Sequence, residues 1–481
     1  MKKLIFLTAL LFFSTNLPMN GEYIYLPPPH LPEILLEDAI SRRVSIREFS
    51  EREISLENIS SLLWATNLVA SADRRASVNI YVIMEGGVYR YIPSNHSLKI
   101  FRKGDFRWVG DYDTAYLKIG LTWNKSCGKN ENFSAFQMGS IGQNIYFISN
   151  SLNLGTVTTA GKAYELYYIG LPIDEKPLII MPVGYPSRPY NFYYSPYNTS
   201  LPFPGNGSKN LVDAMLEKNR EEFLYGELNE REISQLLWAS YGYSYFFDAL
   251  HGRRHRTVPS SHATYPLEIF FANSSGFFHY LPENHSLELV IDEDVRGEIW
   301  PSWARNANLF FIYLNLSKAG ESWAWYYEAG AIWQNLLLEA TSLNLSANVI
   351  PNFEIGDKLK FEGLKALLVM EVGKKYGDDF EKPVVRIVYP EEKFIYILGK
   401  KLIPSKNTII IGGIEAEIEV KDDALLIVEY RVNGKIIGEG YKGAFSIKLP
   451  HSLIKKSYFE AIAFDYSGNK ASDGIEYLKI L

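Results

Sequence analysis

Arg43, Ser45 and Arg47 stand at alternate positions within SRRVSIREFS, residues 41–50. Two guanidinium groups and a hydroxyl in this spacing present a row of donors along one side of a ligand, in the bidentate, charge-assisted form that suits a phosphate. A second donor set stands far along the chain at Pro259, Ser260 and Ser261. A Pro-Ser-Ser bend offers hydroxyls and backbone N–H groups on a stiff loop. Both sets also have an ordinary reading: Arg43 and Arg47 at i, i+4 beside Glu48 and Glu51 fit an ion-paired helix face, and the bend fits a plain turn. His251, His255 and His262 lie close together in a basic stretch with no obvious carboxylate to complete a ligand set, and no metal is expected there.

The elements that must bring such distant groups together are written twice. GSIGQNIYFISNSLNLG at 139–155 returns as GAIWQNLLLEATSLNLS at 330–346, YIPSNHSL at 91–98 as YLPENHSL at 280–287, and ISSLLWA at 59–65 as ISQLLWA at 233–239. Repetition in a fixed order implies a duplicated domain, one copy over residues 33–205 and the other over 206–378. Leu and Trp at helical spacing predict helices over 55–66 and 230–240, and apolar stripes predict longer ones over 138–153 and 329–343. Runs such as VNIYVIM, LEIFFAN, PLIIMPVG and KALLVMEVG predict strands. The expected class is α+β, each copy a central mixed sheet flanked by helices. A Tyr- and Pro-rich passage ending the first copy reads as an ordered linker. Residues 388–481 alternate apolar and polar residues, with Asn433-Gly434 as a tight hairpin, and read as an all-β sandwich.

Composition narrows the function. The chain has 481 residues, 47% hydrophobic and 14% aromatic, enough for two or three ordinary cores. Its net charge of −6 is scattered, with no basic stripe, so nucleic acid is not an expected partner. Cys127 is the single cysteine and can form no internal disulfide. Lys2 and Lys3 precede the apolar run Leu4 to Phe13, so residues 1–20 read as a signal peptide or N-terminal anchor. Ten N-x-S/T sequons, Asn95 and Asn284 among them, are compatible with a secreted or cell-surface glycoprotein. No second apolar run is long enough for a transmembrane helix.

SRRVSIREFSEREISLENISSLLWATN at 41–67 resembles the opening of the nitroreductase family of flavin enzymes, in which R-x-S-x-R begins the first functional helix. RTVPSSHATYPLEIFF at 256–271 resembles the P-S-x-x-x-x-Y-P stretch of the branch that oxidises azoline rings in peptides. The Gly-x-x-x-Gln-Asn helix, Ser-Leu-x-Leu and a late Val-Gly strand extend the likeness through both copies, over most of 33–378. The resemblance implies FMN held at a dimer interface, with R-x-S-x-R from one subunit and the Pro-Ser bend from the other. Here the first copy keeps Arg43, Ser45 and Arg47, whereas its counterpart EKNREEFLYG in the second lacks them. The second copy keeps Pro259, Ser260 and Ser261, whereas ADRRASVN in the first has no such bend, and the interval from Trp64 to Tyr91 is 15 residues shorter than that from Trp238 to Tyr280.

The losses are complementary, so the resemblance implies an intramolecular pseudo-dimer with a single FMN site. By the same likeness the backbone of Thr159-Ala160-Gly161 approaches the flavin ring, and Arg188 is a further candidate for the phosphate. The basic run HGRRHR at 251–256 is expected as a loop over the cofactor entrance. His262 and Ala263 depart from the residues common at their positions, which puts flavin contacts from these two in doubt, and no general base is identified, although His262 and Tyr265 fall near the cofactor. Flavin carries the hydride itself, so no nucleophile is required. The expected function is that of an exported FMN-dependent oxidoreductase acting on a small-molecule or peptide substrate. The alternative is a degenerate, non-catalytic ligand-binding or surface-structural protein. The tail resembles a bacterial or archaeal immunoglobulin-like module through the D-x-x-G-N-x-A-x-D signature from Asp465 to Asp473, with both Asp side chains expected to cap turns.

Overall fold

The computed structural model describes residues 22–480 except 70–76, 206, 208, 219–223, 301–305, 375–380, 423–424, 441–444, 451–455 and 466–468. The expected leader at 1–20 lies outside the described residues, as do most of ADRRASVN and the middle of EKNREEFLYG. Among the described residues no helix is long and apolar enough to cross a membrane.

The first copy runs β1 (Tyr23–Tyr25), α1 (Leu36–Ser41), α2 (Leu56–Ala65), β2 (Val78–Met84), β3 (Gly87–Ile92), β4 (Ser97–Lys103), β5 (Leu117–Asn124), α3 (Glu131–Ser151), β6 (Gly155–Thr156), β7 (Glu175–Gly184) and β8 (Phe192–Tyr194). The second runs α4 (Leu211–Glu217), α5 (Glu230–Tyr241), β9 (Phe246–Asp248), β10 (Leu267–Asn273), β11 (Gly276–Leu281), β12 (Ser286–Ile291), β13 (Ile299–Trp300), β14 (Asn308–Asn315), α6 (Trp323–Ser342), β15 (Ser346–Val349), β16 (Glu354–Ile355) and β17 (Leu364–Gly373). One sheet has the order β1-β4-β3-β2-β5-β7-β6 and the other β12-β11-β10-β14-β17-β15, so the duplication holds strand for strand apart from β1. The class is α+β. Within each sheet the ladders are antiparallel rather than mixed, because hairpins join β2, β3 and β4, and β10, β11 and β12, while α3 and α6 each return the chain to the far edge.

Each repeated motif has a repeated task. In the first copy the His96 imidazole bonds Tyr91 Oη through Nδ1 at 2.8 Å and Ser60 Oγ through Nε2 at 2.7 Å. In the second, His285 bonds Tyr280 at 2.8 Å and Ser234 at 2.7 Å. Burial lowers the pKa of both imidazoles, that of His285 to about 4, so each is a neutral clasp between the β3–β4 or β11–β12 hairpin and α2 or α5. The arm preceding each copy is held alike: Leu26 N donates to His96 O at 3.1 Å and Leu201 N to His285 O at 3.0 Å. The passage read as a linker thus packs on the second copy, and its β8 pairs with β9.

The two long helices start earlier than their apolar stripes suggest. Caps fix the starts: Asn130 accepts from Phe133 N and Ser322 from Ala324 N, so the first turns are helical although their residues are mostly polar or cavity-facing. α3 and α6 cross where Gly139 meets Gly330. A Cβ on Gly139 would strike the Tyr327 carbonyl, and one on Gly330 the Phe136 carbonyl, so only glycine permits this approach. Beyond the crossing the amides interlock. Gln143 Nε2 donates to Asn335 Oδ1 at 2.8 Å, and Gln334 Nε2 to Asn144 Oδ1 at 3.0 Å. Asn144 in turn donates to Ala65 O and Asn335 to Ala239 O, at the ends of α2 and α5.

The tail is a β-sandwich of a three-stranded and a seven-stranded sheet around Tyr396, Val428, Phe459 and Tyr477. Asn433 and Gly434, at φ 51° and 80°, make the expected left-handed hairpin turn. Asp465 accepts from Asn469 N at 2.8 Å and Asp473 from Ile387 N at 2.7 Å.

Gly330→Ala should therefore destabilise the two-copy body by about 3 kcal/mol, through overpacking against backbone. Gly320→Ala, where a Cβ meets nothing within 4 Å, should stay within about 0.5 kcal/mol of wild type. Denaturant unfolding followed by tryptophan fluorescence reads the body selectively, since all 9 tryptophans precede residue 378.

Candidate functional site

Residues 43–47 do not form the start of a helix or an i, i+4 face. They follow α1 as an extended segment in which the branched residues Val44 and Ile46 are buried, and Ile46 N donates to Thr156 O at 2.9 Å. The alternation of apolar and polar residues carries a period of two, which overrides the helical spacing of the arginines. It leaves Arg43, Ser45 and Arg47 together on the side away from the core.

That side is one wall of a cavity of about 800 Å³ between the two copies. Arg43, Ser45, Arg47, Ala160 and Gly161 reach it from the first copy, and Pro259, Ser260 and Ser261 from the second. Arg188 does not. Ser187 N donates to Glu48 O at 3.0 Å, and this turn after β7 leaves Arg188 exposed, outside the cavity lining.

Bonds between the copies set the floor. Arg43, 3% exposed, donates through Nε to Arg256 O at 3.0 Å and lies 5.2 Å from the centre of the Tyr146 ring. Ser45 Oγ bonds Tyr146 Oη at 3.0 Å, Thr158 N donates to the same phenol at 2.9 Å, and Thr158 Oγ1 bonds Tyr327 Oη of α6 at 2.7 Å. Tyr327 fits because Gly142 faces its hydroxyl without a side chain. The Thr257 carbonyl accepts from Gln143 at 2.9 Å and from Asn335 at 3.3 Å, so the interlocked amides also hold the loop two residues ahead of Pro259.

The bend itself is strained. His262, Ala263 and Tyr265 take φ of 53°, 55° and 47°, and Tyr265 N donates to Ser260 Oγ at 2.9 Å. All three residues line the cavity. The Ser260 side chain also lowers the pKa of Glu328, which lines the same cavity.

Charge in the cavity is strongly positive. Arg253, Arg254 and Arg256 join Arg43 and Arg47, against Asp111 and Glu328. Arg256 lies 4.3 Å from the Tyr243 ring centre and 5.0 Å from that of Tyr265, and Arg254 4.9 Å from that of Tyr197. Aromatic faces thus hold these cations apart and aimed, a field that selects an anion. HGRRHR, expected as a basic loop over the cofactor entrance, does bring Arg253, Arg254 and Arg256 to the cavity. Tyr327 and Glu328 carried no signal, because they sit inside a helix whose pattern reads as core.

The expected histidine trio is regrouped. Asp248, His251 and His255 have ligand-capable atoms all within 4.8 Å of one another, whereas His262 bonds Ser261 at 3.1 Å. Asp248, inconspicuous in the sequence, is the carboxylate: its Oδ2 accepts from His251 at 2.5 Å and His255 at 2.7 Å. Burial and the charge of Arg43 push His255 down to about 4 despite that bond. Burial raises the Asp248 carboxyl, but the bonds from His255 and His251 outweigh it and hold the pKa below the ordinary value. These groups saturate one another at the edge of the cavity.

A family model described as nitroreductase matches residues 40–185 and again 220–374. A Methanocaldococcus jannaschii protein named for the nitroreductases is 30% identical over 197 residues, 34% of this chain and 98% of its own length. The structure of an Anabaena variabilis protein, described in the same terms, covers 75% of this chain and 96% of its own at 15% identity and a TM-score of 0.53, a span greater than either copy. A Desulfovibrio desulfuricans relative solved in complex with FMN covers 32% of this chain and 88% of its own, at 18% identity and a TM-score of 0.27. Matched twice, in step with both copies of the internal repeat and over more than half its length, the chain belongs to the nitroreductase family.

Proposed function

We propose that the protein is an FMN-dependent oxidoreductase with a single flavin site in the cavity between its two copies. The carrying observation is convergence: Arg43, Ser45 and Arg47 from one copy and Pro259, Ser260 and Ser261 from the other line the same space. Its volume of about 800 Å³ lies within the range of cofactor clefts. The residues suit the group. Arg47, Arg253 and Arg254 would bind the phosphate, and Arg256 Nε is a buried donor without a partner among the described residues. Gly161 leaves room beside the Ala160 backbone, since a Cβ there would meet nothing within 4 Å. Tyr146 and Tyr327, bonded through Thr158, would close the floor to water.

Bound FMN would supply hydride transfer, and the protein would supply the fixed positive field that stabilises charge gained on reduction. The substrate would be a small molecule or peptide. We further propose that the protein works outside the cytoplasm or at the cell surface, on the strength of Lys2, Lys3 and the apolar run from Leu4 to Phe13, and that its tail serves as a spacer or adhesion unit.

The purified protein should show a flavin absorption spectrum, and the released ligand should have the mass of FMN. A colourless protein that cannot be reconstituted with FMN would overturn the reading, and bound FMN that no reductant can cycle would favour binding without turnover. Removing one charge-assisted contact is worth about 1.5–3 kcal/mol, so Arg43→Ala and Arg47→Ala should each weaken FMN binding about tenfold to a hundredfold, while Arg188→Ala leaves it unchanged. Gly161→Leu should abolish FMN binding with the unfolding transition intact, as read by fluorescence titration beside thermal denaturation.

A further inference from the structure

The near-twofold relation between α3 and α6 supplies an internal comparison. Counting back from Gly139 and Gly330, Glu328 of α6 takes the place that Gln137 takes in α3. Gln137 accepts a bond from Ser77 Oγ and lies outside the cavity lining. Glu328 lines the cavity, is 1% exposed, and accepts from Tyr241 Oη. Its Oε2 has no partner among the described residues. A buried carboxyl with one oxygen unbonded costs stability, and the other copy shows that an amide fills the equivalent place. The costlier group stands on the side that faces the cavity.

We propose that Glu328 is a catalytic residue of this site, the acid–base group that exchanges the substrate proton accompanying hydride transfer. The inference rests on the flavin reading above. In the dehydrogenation direction a substrate C–H bond breaks and its hydrogen leaves with the electron pair for oxidised flavin, while the neighbouring N–H or O–H bond breaks and its proton passes to the Glu328 carboxylate. A double bond forms between the two substrate atoms. In the reducing direction the carboxyl returns the proton.

The surroundings suit that task. Burial pushes the Glu328 carboxyl up to about 7, against the downward pull of Ser260, Tyr241 and Arg256, so both of its forms are populated near neutrality. The titratable and charged groups facing it are Tyr241 from α5, Arg256 from the loop after β9 and Tyr265 from the bend. Burial raises both phenols, which therefore stay neutral at that pH. The Tyr241 bond to Oε1 holds the carboxyl in place and leaves Oε2 for exchange.

The test is potentiometric titration of the FMN-loaded protein against pH. Negative charge added to the cavity on reduction raises the proton affinity of the carboxyl. The wild-type midpoint potential should therefore fall more steeply above about pH 7, by the slope of one further proton, than below it. Glu328→Gln should lose that bend, and Gln137→Glu should keep the wild-type profile. FMN-loaded wild type and Glu328→Gln with the same profile would overturn the proposal and leave the flavin site standing, whereas failure of the wild type to bind FMN would overturn the reading beneath it. Should Glu328→Gln lose its flavin, infrared titration of both apoproteins decides. A carboxylic acid band that titrates near neutrality in wild type and is missing from the variant is the expected result, and coincident spectra would overturn the role.

Discussion

Everything in the two-copy body depends on the close crossing of α3 and α6. At Gly139 and Gly330 the two backbones come near enough that the first side-chain carbon of any other residue is excluded. Just beyond, Gln143 and Gln334 reach across to Asn335 and Asn144, which hold the ends of α5 and α2. A buried amide bond adds only about 1 kcal/mol net, but a buried amide left without its partner costs more, so the set acts as a register that tolerates no slippage. Gln143 and Asn335 also grip Thr257 O, and Gly142 admits Tyr327. The same few residues that join the copies therefore shape the cavity between them.

Into that cavity the chain gathers five arginines. Clustered cations repel, and the fold manages this by giving most of them fixed neighbours: Arg43 bonds a carbonyl and lies near Tyr146, Arg256 lies against Tyr243 and Tyr265, and Arg254 against Tyr197 and Phe247. The His255 imidazole adds no charge near neutrality, since burial and the guanidinium of Arg43 hold it neutral. What results is a preorganised positive field with few opposing charges on its walls. Such a field is poised for an anion and for charge that grows during reaction.

Much of this was legible in the sequence, for identifiable reasons. The repeats fixed the duplication because each repeated residue has a repeated bond, His96 and His285 to a Tyr and a Ser, the Gln-Asn pairs to each other. The complementary survival of Arg43, Ser45 and Arg47 in one copy and Pro259, Ser260 and Ser261 in the other marked the two walls. Local conformation was less legible. The i, i+4 spacing of Arg43 and Arg47 suggested a helix, whereas buried Val44 and Ile46 impose an extended chain. Arg188 has the right charge but is turned to solvent by the contact of Ser187 with Glu48. Tyr327 and Glu328 were hidden because one helix serves a core, a crossing and a cavity on different faces. Asp248 was hidden because its imidazole partners come together only through the fold of a loop.

The covalent join between the copies has a further consequence. A pocket shared by separate subunits exists only while they remain associated, so dilution empties it by dismantling it. Here β8 pairs with β9 and the arm through Leu201 lies on the second copy, which keeps the partner surface at a permanently high effective concentration. Completeness of the pocket is thereby uncoupled from how much protein is present.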